Sequence, residues 1–578
     1  MMAIRKLPRE VLQGIVSYLS NRCTNRKDLL NLSQTCRSFW DAATPAIYRD
    51  VNLQCYHDLE SEVNEKTERR QLCLIKSIAE NPKLGTQVRT FVNDTYPYAG
   101  GRDVTQRAET DNTLLVDAAK NMKGLCKASF STNPLAIHMI TNLPSYPQLS
   151  HLRLDGFMPS KHIWENATTP LKTLKWNIAI PRGTEGSASL AEARFLLRVL
   201  EETCPDLEVL DLSLGDPYSR SVPNTDLATA PGVIDAYNAL PEITEAKLTH
   251  LCHFGFSTRG AGGDVPEEEI KVFILEVVGR YGHSLRSITI PGGGHGWTRG
   301  GLDFVLKVCA LVPDLRELNL SKGYLGSGSE LTAHEAFHEL TTSPATAKME
   351  RFSTMDIQGH FSREIGQLFK NWMNLKFLQL GDEDNSGGPF GDDGRPQFDE
   401  YKPHILAFIK ALPPSLQELY IEINGQDICC DDDEDFDPIC TMSPEIFRTL
   451  PHLHTCDIHA WISNIDGGLG SLPEKGVFYR RLPSDAMHPK ERTIWTSRMD
   501  CIYQDEDILV KKRSNLVEDE AFEGEDAKEV WLDGATFSKP SWGTSRGRPP
   551  GRPNWSWPFC ADLIQSKIGD YEMFRARY

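Results

Sequence analysis

DLRELNLS, Asp314 to Ser321, sets apolar residues at Leu315, Leu318 and Leu320, an interval of three followed by an interval of two. The spacing returns in QLSHLRLDG (Leu149, Leu152, Leu154), LKTLKW (Leu171, Leu174, Trp176) and DLEVLDLSL (Leu207, Leu210, Leu212). It returns again in SLRSITI (Leu285, Ile288, Ile290), NLKFLQLGD (Leu375, Leu378, Leu380) and SLQELYIEIN (Leu416, Leu419, Ile421). Fainter copies start at Val88, Leu125, Leu248, Met349 and Leu453, and steps run from 22 residues (149 to 171) to 41 (207 to 248). Apolar residues two apart mark a short strand, whose side chains alternate between faces. Residues 194–201, 268–278, 302–311, 365–372 and 405–412 then carry apolar positions three and four apart, the helical period.

Strand, turn, helix and strand again forms a unit that cannot bury its own apolar face, so neighbouring copies must stack. The pattern resembles a degenerate leucine-rich-repeat array. Repeat lengths are irregular, and the Asn that usually stands three positions after the third apolar residue is matched only by Asn424. The resemblance implies an α/β fold, an irregular solenoid with a curved parallel sheet and helices on its convex side. Residues between the apolar positions would then line the concave face. They are Arg153, Asp155, Lys175, Asn177, Asp211, Ser213, Asn319, Ser321, Gln379, Tyr420, Glu422, Asp457 and His459. Mixed and mostly polar, they are the candidate contacts for a protein target.

The first fifty residues have another texture. Pro8 suits a first helical position, and Val11, Leu12, Ile15, Val16 and Leu19 fall on one side of a helical wheel. Asp28 is the expected N-cap of a second helix carrying Leu29, Leu32 and Cys36, and a third segment, 37–43, carries Phe39 and Trp40 before Pro45 limits it. LPREVLQGIVSYL followed by DLLNLSQTCRSFWDAA closely resembles the F-box over residues 4–53, with a longer loop at 20–27 than is common. That resemblance implies a three-helix module that docks on a Skp-family adaptor and through it joins a cullin-based ubiquitin ligase. Leu7, Pro8, Val11, Ile15, Leu19, Leu30, Leu32, Cys36 and Phe39 are the expected apolar anchors, some of them internal core instead. The expected layout is an F-box at 1–50, a linker or first cap at 51–85, the solenoid at 86–465 and a C-terminal capping region at 466–578.

Composition narrows the function classes. The 578 residues hold 62 basic and 80 acidic side chains, a net charge of −18, which argues against sequence-indifferent nucleic-acid binding and hints at a target with a basic patch. Two acidic insertions, 381–400 and 429–438, carry part of it, and Asp431 to Asp437 lacks the Gly and ligand spacing of a calcium loop. Cys429, Cys430, Cys440, His452, His454 and Cys456 have the wrong spacing for zinc, and the 14 cysteines suggest reduced, intracellular thiols. The glycine-rich 291–296 loop lacks the Lys-Ser/Thr of a phosphate loop. Arg546-Gly547-Arg548-Pro549 resembles an AT-hook core but sits among tryptophans, without basic flanks. No membrane span, no metal and no cofactor are expected. With no convincing nucleophile–base arrangement, the chain is expected to be a non-enzymatic adaptor of the cytosol or nucleus. The alternative is a repeat scaffold acting outside ubiquitin ligation.

Overall fold

The structure, a computed structural model, describes residues 9–20, 26–53, 62–93, 113–131, 142–155, 169–178, 186–214, 248–258, 266–292, 297–321, 330–354, 361–381, 398–425, 449–453, 455–462, 475–482 and 492–497. Leu7, Pro8, most of both acidic insertions and the Arg546 segment lie outside them. Two compact units divide the chain, Met1–Phe273 and Ile274–Tyr578.

The first unit opens with α1 (Arg9–Ser20), α2 (Arg26–Ser33) and α3 (Arg37–Arg49), followed by α4 (Glu62–Glu80). Its strands are β1 (Asp50–Leu53), β2 (Thr90–Asn93), β3 (Lys127–Ser131), β4 (His151–Asp155), β5 (Thr173–Ile178), β6 (Val209–Leu214) and β7 (His253–Thr258). Each pairs in parallel with the next in chain order. The second unit repeats the arrangement with β8 (Ser287–Pro291), β9 (Glu317–Ser321), β10 (Arg351–Thr354), β11 (Phe377–Gly381), β12 (Glu418–Gly425) and β13 (Thr455–Ile462), again parallel in chain order. Then β14 (Lys475–Leu482) and β15 (Arg492–Ser497) turn antiparallel and end the parallel run.

Parallel neighbours need a crossover, and helices supply several of them. Gly186–Thr203, Arg299–Ala310, Ala333–Thr342 and Phe398–Ala411 stand between paired strands, and Glu267–Tyr281 follows β7 in the chain. Thr298, Thr332 and Ser362 cap helices by accepting a backbone N–H on the side-chain oxygen. The expected helix at 365–372 is Arg363–Leu368 continued by a tighter 3-10 turn, Phe369–Asn371.

The repeat rests on one hydrogen-bond device. The carbonyl of the residue before one strand accepts two consecutive N–H groups of the next: Lys172 from Glu208 and Val209, Arg286 from Arg316 and Glu317, Lys376 from Gln417 and Glu418. A second bond closes the turn before many of the strands, from the first apolar residue back three positions, as in Leu149 to Tyr146, Leu207 to Cys204, Leu315 to Val312 and Leu375 to Trp372, while Leu285 reaches back four, to Tyr281. This turn corrects one expectation. The copy expected at Leu248 starts at Leu251, because Leu248 is the turn acceptor for the Leu251 N–H, and Leu251, Phe254 and Phe256 are the buried trio. An apolar residue three positions upstream imitates the start of the motif, so spacing alone slipped.

Leu152, Leu174 and Leu210 stack in register behind the sheet of the first unit, as do Leu154, Trp176 and Leu212. All six are buried. Ile288, Leu318, Phe352, Leu378 and Leu419 form the corresponding column in the second. There Phe352 and Phe369 pack on Trp372 with centroids 5.1 and 5.7 Å away. No described helix is long and apolar enough to cross a membrane.

Candidate functional site

The three N-terminal helices enclose a small core. Val16, Leu29, Ala43 and Ile47 are buried together, with Leu32, Ala42, Ala46 and Tyr48 packed against them. Along α3 the inward stripe is Phe39, Ala43 and Ile47, at intervals of four. Three sequence expectations fail here, the first being that Cys36 belongs to the second helix, since α2 ends at Ser33 and Cys36 is the N-cap residue of α3. Asp28 lies inside α2 rather than capping it. Pro45 does not end the third helix, which runs to Arg49. An interior proline costs about 3 kcal/mol, and burial of Ile47 beyond it holds the last turn in place. Three apolar side chains stay on the outside, Val11 at 44 %, Leu30 at 43 % and Trp40 at 46 % exposure.

On the sheet, the expected recognition residues share a face in register. Arg153, Lys175 and Asp211 form one row, and Asp155, Asn177 and Ser213 the next. In the second unit Asn319 and Gln379 align through Ser353, then Tyr420 and Asp457, with Glu422 opposite His459. Burial sorts them. Lys175, Asn319, Ser321 and Gln379 are buried, whereas Arg153, Asn177, Asp211, Ser213 and Tyr420 are half-buried. Asn319 Nδ2 donates to Thr289 Oγ1 at 3.5 Å, and Ser321 Oγ to the Ile290 carbonyl at 3.3 Å. Tyr420 donates its hydroxyl to Glu418 Oε2 at 3.1 Å and lays its ring 5.3 Å from that of Phe377. The side chains of Asp155, Glu422, Asp457 and His459 lie outside the described set.

Asp211 is the electrostatic centre of the first unit's face. Lys175 Nζ lies 2.8 Å from Asp211 Oδ2, and His253 Nε2 lies 2.8 Å from Oδ1. Gly255 leaves the room, since a Cβ there would collide with Asp211 Oδ1 and sit 3.1 Å from His253 Nε2. Burial alone would raise the Asp211 carboxyl, but the Lys175 ammonium and the His253 ring outweigh it and hold the group well below its ordinary value.

His151 shows the opposite balance. Burial, with Lys127, Lys172 and Lys175 adding repulsion, pushes its imidazole down to about 4, so the ring is neutral and pairs through Nδ1 with Ser150 Oγ at 2.8 Å. In the unfolded chain the ring takes a proton near its ordinary 6.5, so acid favours the unfolded chain. Stability present above pH 6.5 is therefore lost as pH falls from there towards 4, by about 3 kcal/mol in all. Urea unfolding at pH 7 and pH 4.5, compared with His151→Asn, reads that loss. A wild-type-minus-variant difference that stays constant with pH refutes it.

Residues 4–54 match the F-box-like family model. The first fifty residues carry an F-box-like module. No curated protein matches the chain. Among solved structures, one titled "Crystal structure of TLR13-ssRNA13 complex" is 14 % identical, with a TM-score of 0.28 over 61 % of this chain and 45 % of that one. The present chain thus spans under half the length of that match, and the repeat architecture rests on the strands and turns described above.

Within the F-box-like module the structure separates the expected anchors. Val11 and Leu30 are exposed, Ile15, Leu32 and Cys36 half-buried, and Phe39 is buried at 5 % exposure. Leu32 packs on the internal core. The Leu19 side chain, like Leu7 and Pro8, lies outside the described residues. Trp40 is absent from the expected anchors, although helical geometry could have found it. Adjacent residues point about 100° apart on a helix, so with Phe39 on the inward stripe Trp40 must leave it.

Two short patterns in the sequence run against the expectation of no convincing nucleophile–base arrangement. His334-Glu335-Ala336-Phe337-His338 reads H-E-x-x-H, and Gly543-Thr544-Ser545-Arg546-Gly547 reads G-x-S-x-G. The second lies outside the described residues, in a Pro- and Gly-rich stretch, and its meaning depends on a strand–turn–helix setting. The first lies on the helix Ala333–Thr342. Among the described residues no group of three or more His, Cys, Asp or Glu is placed to hold a metal.

Proposed function

We propose that the chain is a substrate-recognition adaptor of a cullin-based ubiquitin ligase, working in the cytosol or nucleus. Its F-box-like module docks a Skp-family adaptor, and the strand face of the repeats holds the target protein. One observation carries the docking half. A module whose own core amounts to a few aliphatic side chains leaves Val11, Leu30 and Trp40 between 43 % and 46 % exposed. Large apolar groups left in water on so small a body are what a partner surface covers. For the target, the half-buried Arg153, Asn177, Asp211, Ser213 and Tyr420 are better contacts than the buried Lys175, Asn319, Ser321 and Gln379.

The test is co-purification of the full chain with a Skp-family adaptor. Replacing Trp40 and Leu30 with Ala and Val11 with Asp removes exposed apolar area while sparing the buried cluster. A central aromatic anchor is worth about 2 kcal/mol or more, so binding should weaken at least roughly thirtyfold. Equal adaptor binding by a chain lacking residues 1–50 defeats the reading. Recovery of the adaptor without any cullin favours the scaffold alternative.

A further inference from the structure

His334 and His338 stand four residues apart on one face of the helix Ala333–Thr342. Their rings are stacked, planes within 2° and centroids 6.3 Å apart. Both side chains are exposed. An imidazole nitrogen bound at its usual metal distance places the ring centroid roughly 3 Å from the ion. Two rings sharing one ion therefore stand roughly 6 Å apart or closer, and a small side-chain rotation brings this pair within that reach.

The rest of the H-E-x-x-H pattern is occupied elsewhere. Glu335 Oε2 accepts the Thr332 N–H at 2.8 Å and the Thr332 hydroxyl at 2.9 Å, completing the capping box that starts the helix. Glu339, next to His338, receives Arg299 Nη1 at 2.9 and 2.7 Å on its two oxygens. A hydrolytic zinc centre needs three protein ligands, an open water position and a free carboxylate as base. This helix offers two imidazoles, and both neighbouring carboxylates are committed to other partners.

We propose that His334 and His338 chelate one late first-row divalent cation as an exposed two-imidazole site, with water at its remaining positions and no hydrolytic role. Imidazole suits copper, nickel and zinc, and the general affinity order puts Cu(II) first. The site depends on the helix, because only helical geometry brings residues four apart to one ion.

Copper(II) chloride titrated into the untagged full-length protein, followed by electron paramagnetic resonance for nitrogen coordination and by thermal shift, tests this. His334→Ala or His338→Ala should each weaken the tightest site at least tenfold and remove the copper-induced thermal shift. Glu335→Gln, which keeps a capping-box side chain, should leave copper affinity unchanged. An unaltered tightest site in the His334→Ala/His338→Ala double variant overturns the proposal, as does a Glu335→Gln loss equal to the histidine losses. Zinc-dependent peptide hydrolysis by the wild type that disappears in Glu335→Gln overturns its second half. Since both histidines are exposed, the Ala variants should keep the far-ultraviolet circular dichroism of the parent. If they do not, His334→Gln/His338→Gln decides by the same readouts.

Discussion

Lys175→Met should lower the free energy of unfolding by about 3 kcal/mol, the lower end of the range for breaking a buried ion pair. Lys175 is 4 % and His253 1 % exposed at the side chain, while Asp211 between them keeps 24 %. Removing the ammonium leaves the Asp211 carboxylate, pinned between β5 and β7, with one of its two close partners. The 24 % still open to water is the reason for choosing the lower figure. Adding Asp211→Asn to Lys175→Met should restore much of the loss, because the orphan is then a neutral amide rather than a buried charge. Urea denaturation of the wild type, both single variants and the double variant closes the cycle. A Lys175→Met cost below about 1 kcal/mol would place Asp211 in effectively aqueous surroundings, the exposed-pair regime, and sink this account of the first unit's face.

Trp372→Ala should cost the second unit about 3–5 kcal/mol, as expected when a fully enclosed aromatic is truncated. Trp372 is 0 % exposed. It closes the turn before β11 through its carbonyl, which accepts the Leu375 N–H, and its ring fills the space beside Phe352 and Phe369. Its indole Nε1–H donates to Thr346 Oγ1 at 3.2 Å, and that hydroxyl in turn donates to the Leu340 carbonyl at 2.6 Å. Trp372→Phe separates the terms, since it keeps most of the apolar volume and loses the hydrogen bond, worth about 1 kcal/mol. If Phe costs as much as Ala in a urea titration, the polar link rather than packing holds this repeat together, contrary to the expectation.

The strand positions were legible because burial there has period two and one spacing. Leu149, Leu171, Leu207, Leu285, Leu315, Leu375 and Leu416 all precede strands of the parallel run and are all buried. The helix Ala333–Thr342 was not legible, and neither was α4, although both fill connections between repeats. Helical connections carry weaker constraints than strands. They need only cover the columns behind the sheet, which several lengths and periods can do. The error at Leu248 has the same character, because a turn-closing residue and a strand-leading residue are both apolar and differ only in their hydrogen bonds.

The strand-face placement of the candidate residues was partly legible. Alternation placed Arg153, Lys175 and Asp211 on one face correctly in register, but it says nothing about depth. Sequence alone therefore could not separate half-buried Asp211 from buried Lys175, nor find that Gly255 is small because the Asp211 carboxylate lies across it. His253 entered no expectation, since its role comes from a neighbouring strand 42 residues away.

By itself the sequence determined the repeat, the F-box-like module and which residues alternate to which face, because those follow from periods of two and 3.6 written along the chain. Only the tertiary structure decided which members of each stripe meet water. Val11, Leu30 and Trp40 stay outside while Leu12, Leu29 and Phe39 go in. Asp211 likewise takes its partners, Lys175 and His253, from the neighbouring strands β5 and β7. The physical reason is common to both cases. Burial and hydrogen bonding are settled by what lies across a gap, and the partner across the gap is set by the fold rather than by distance along the chain.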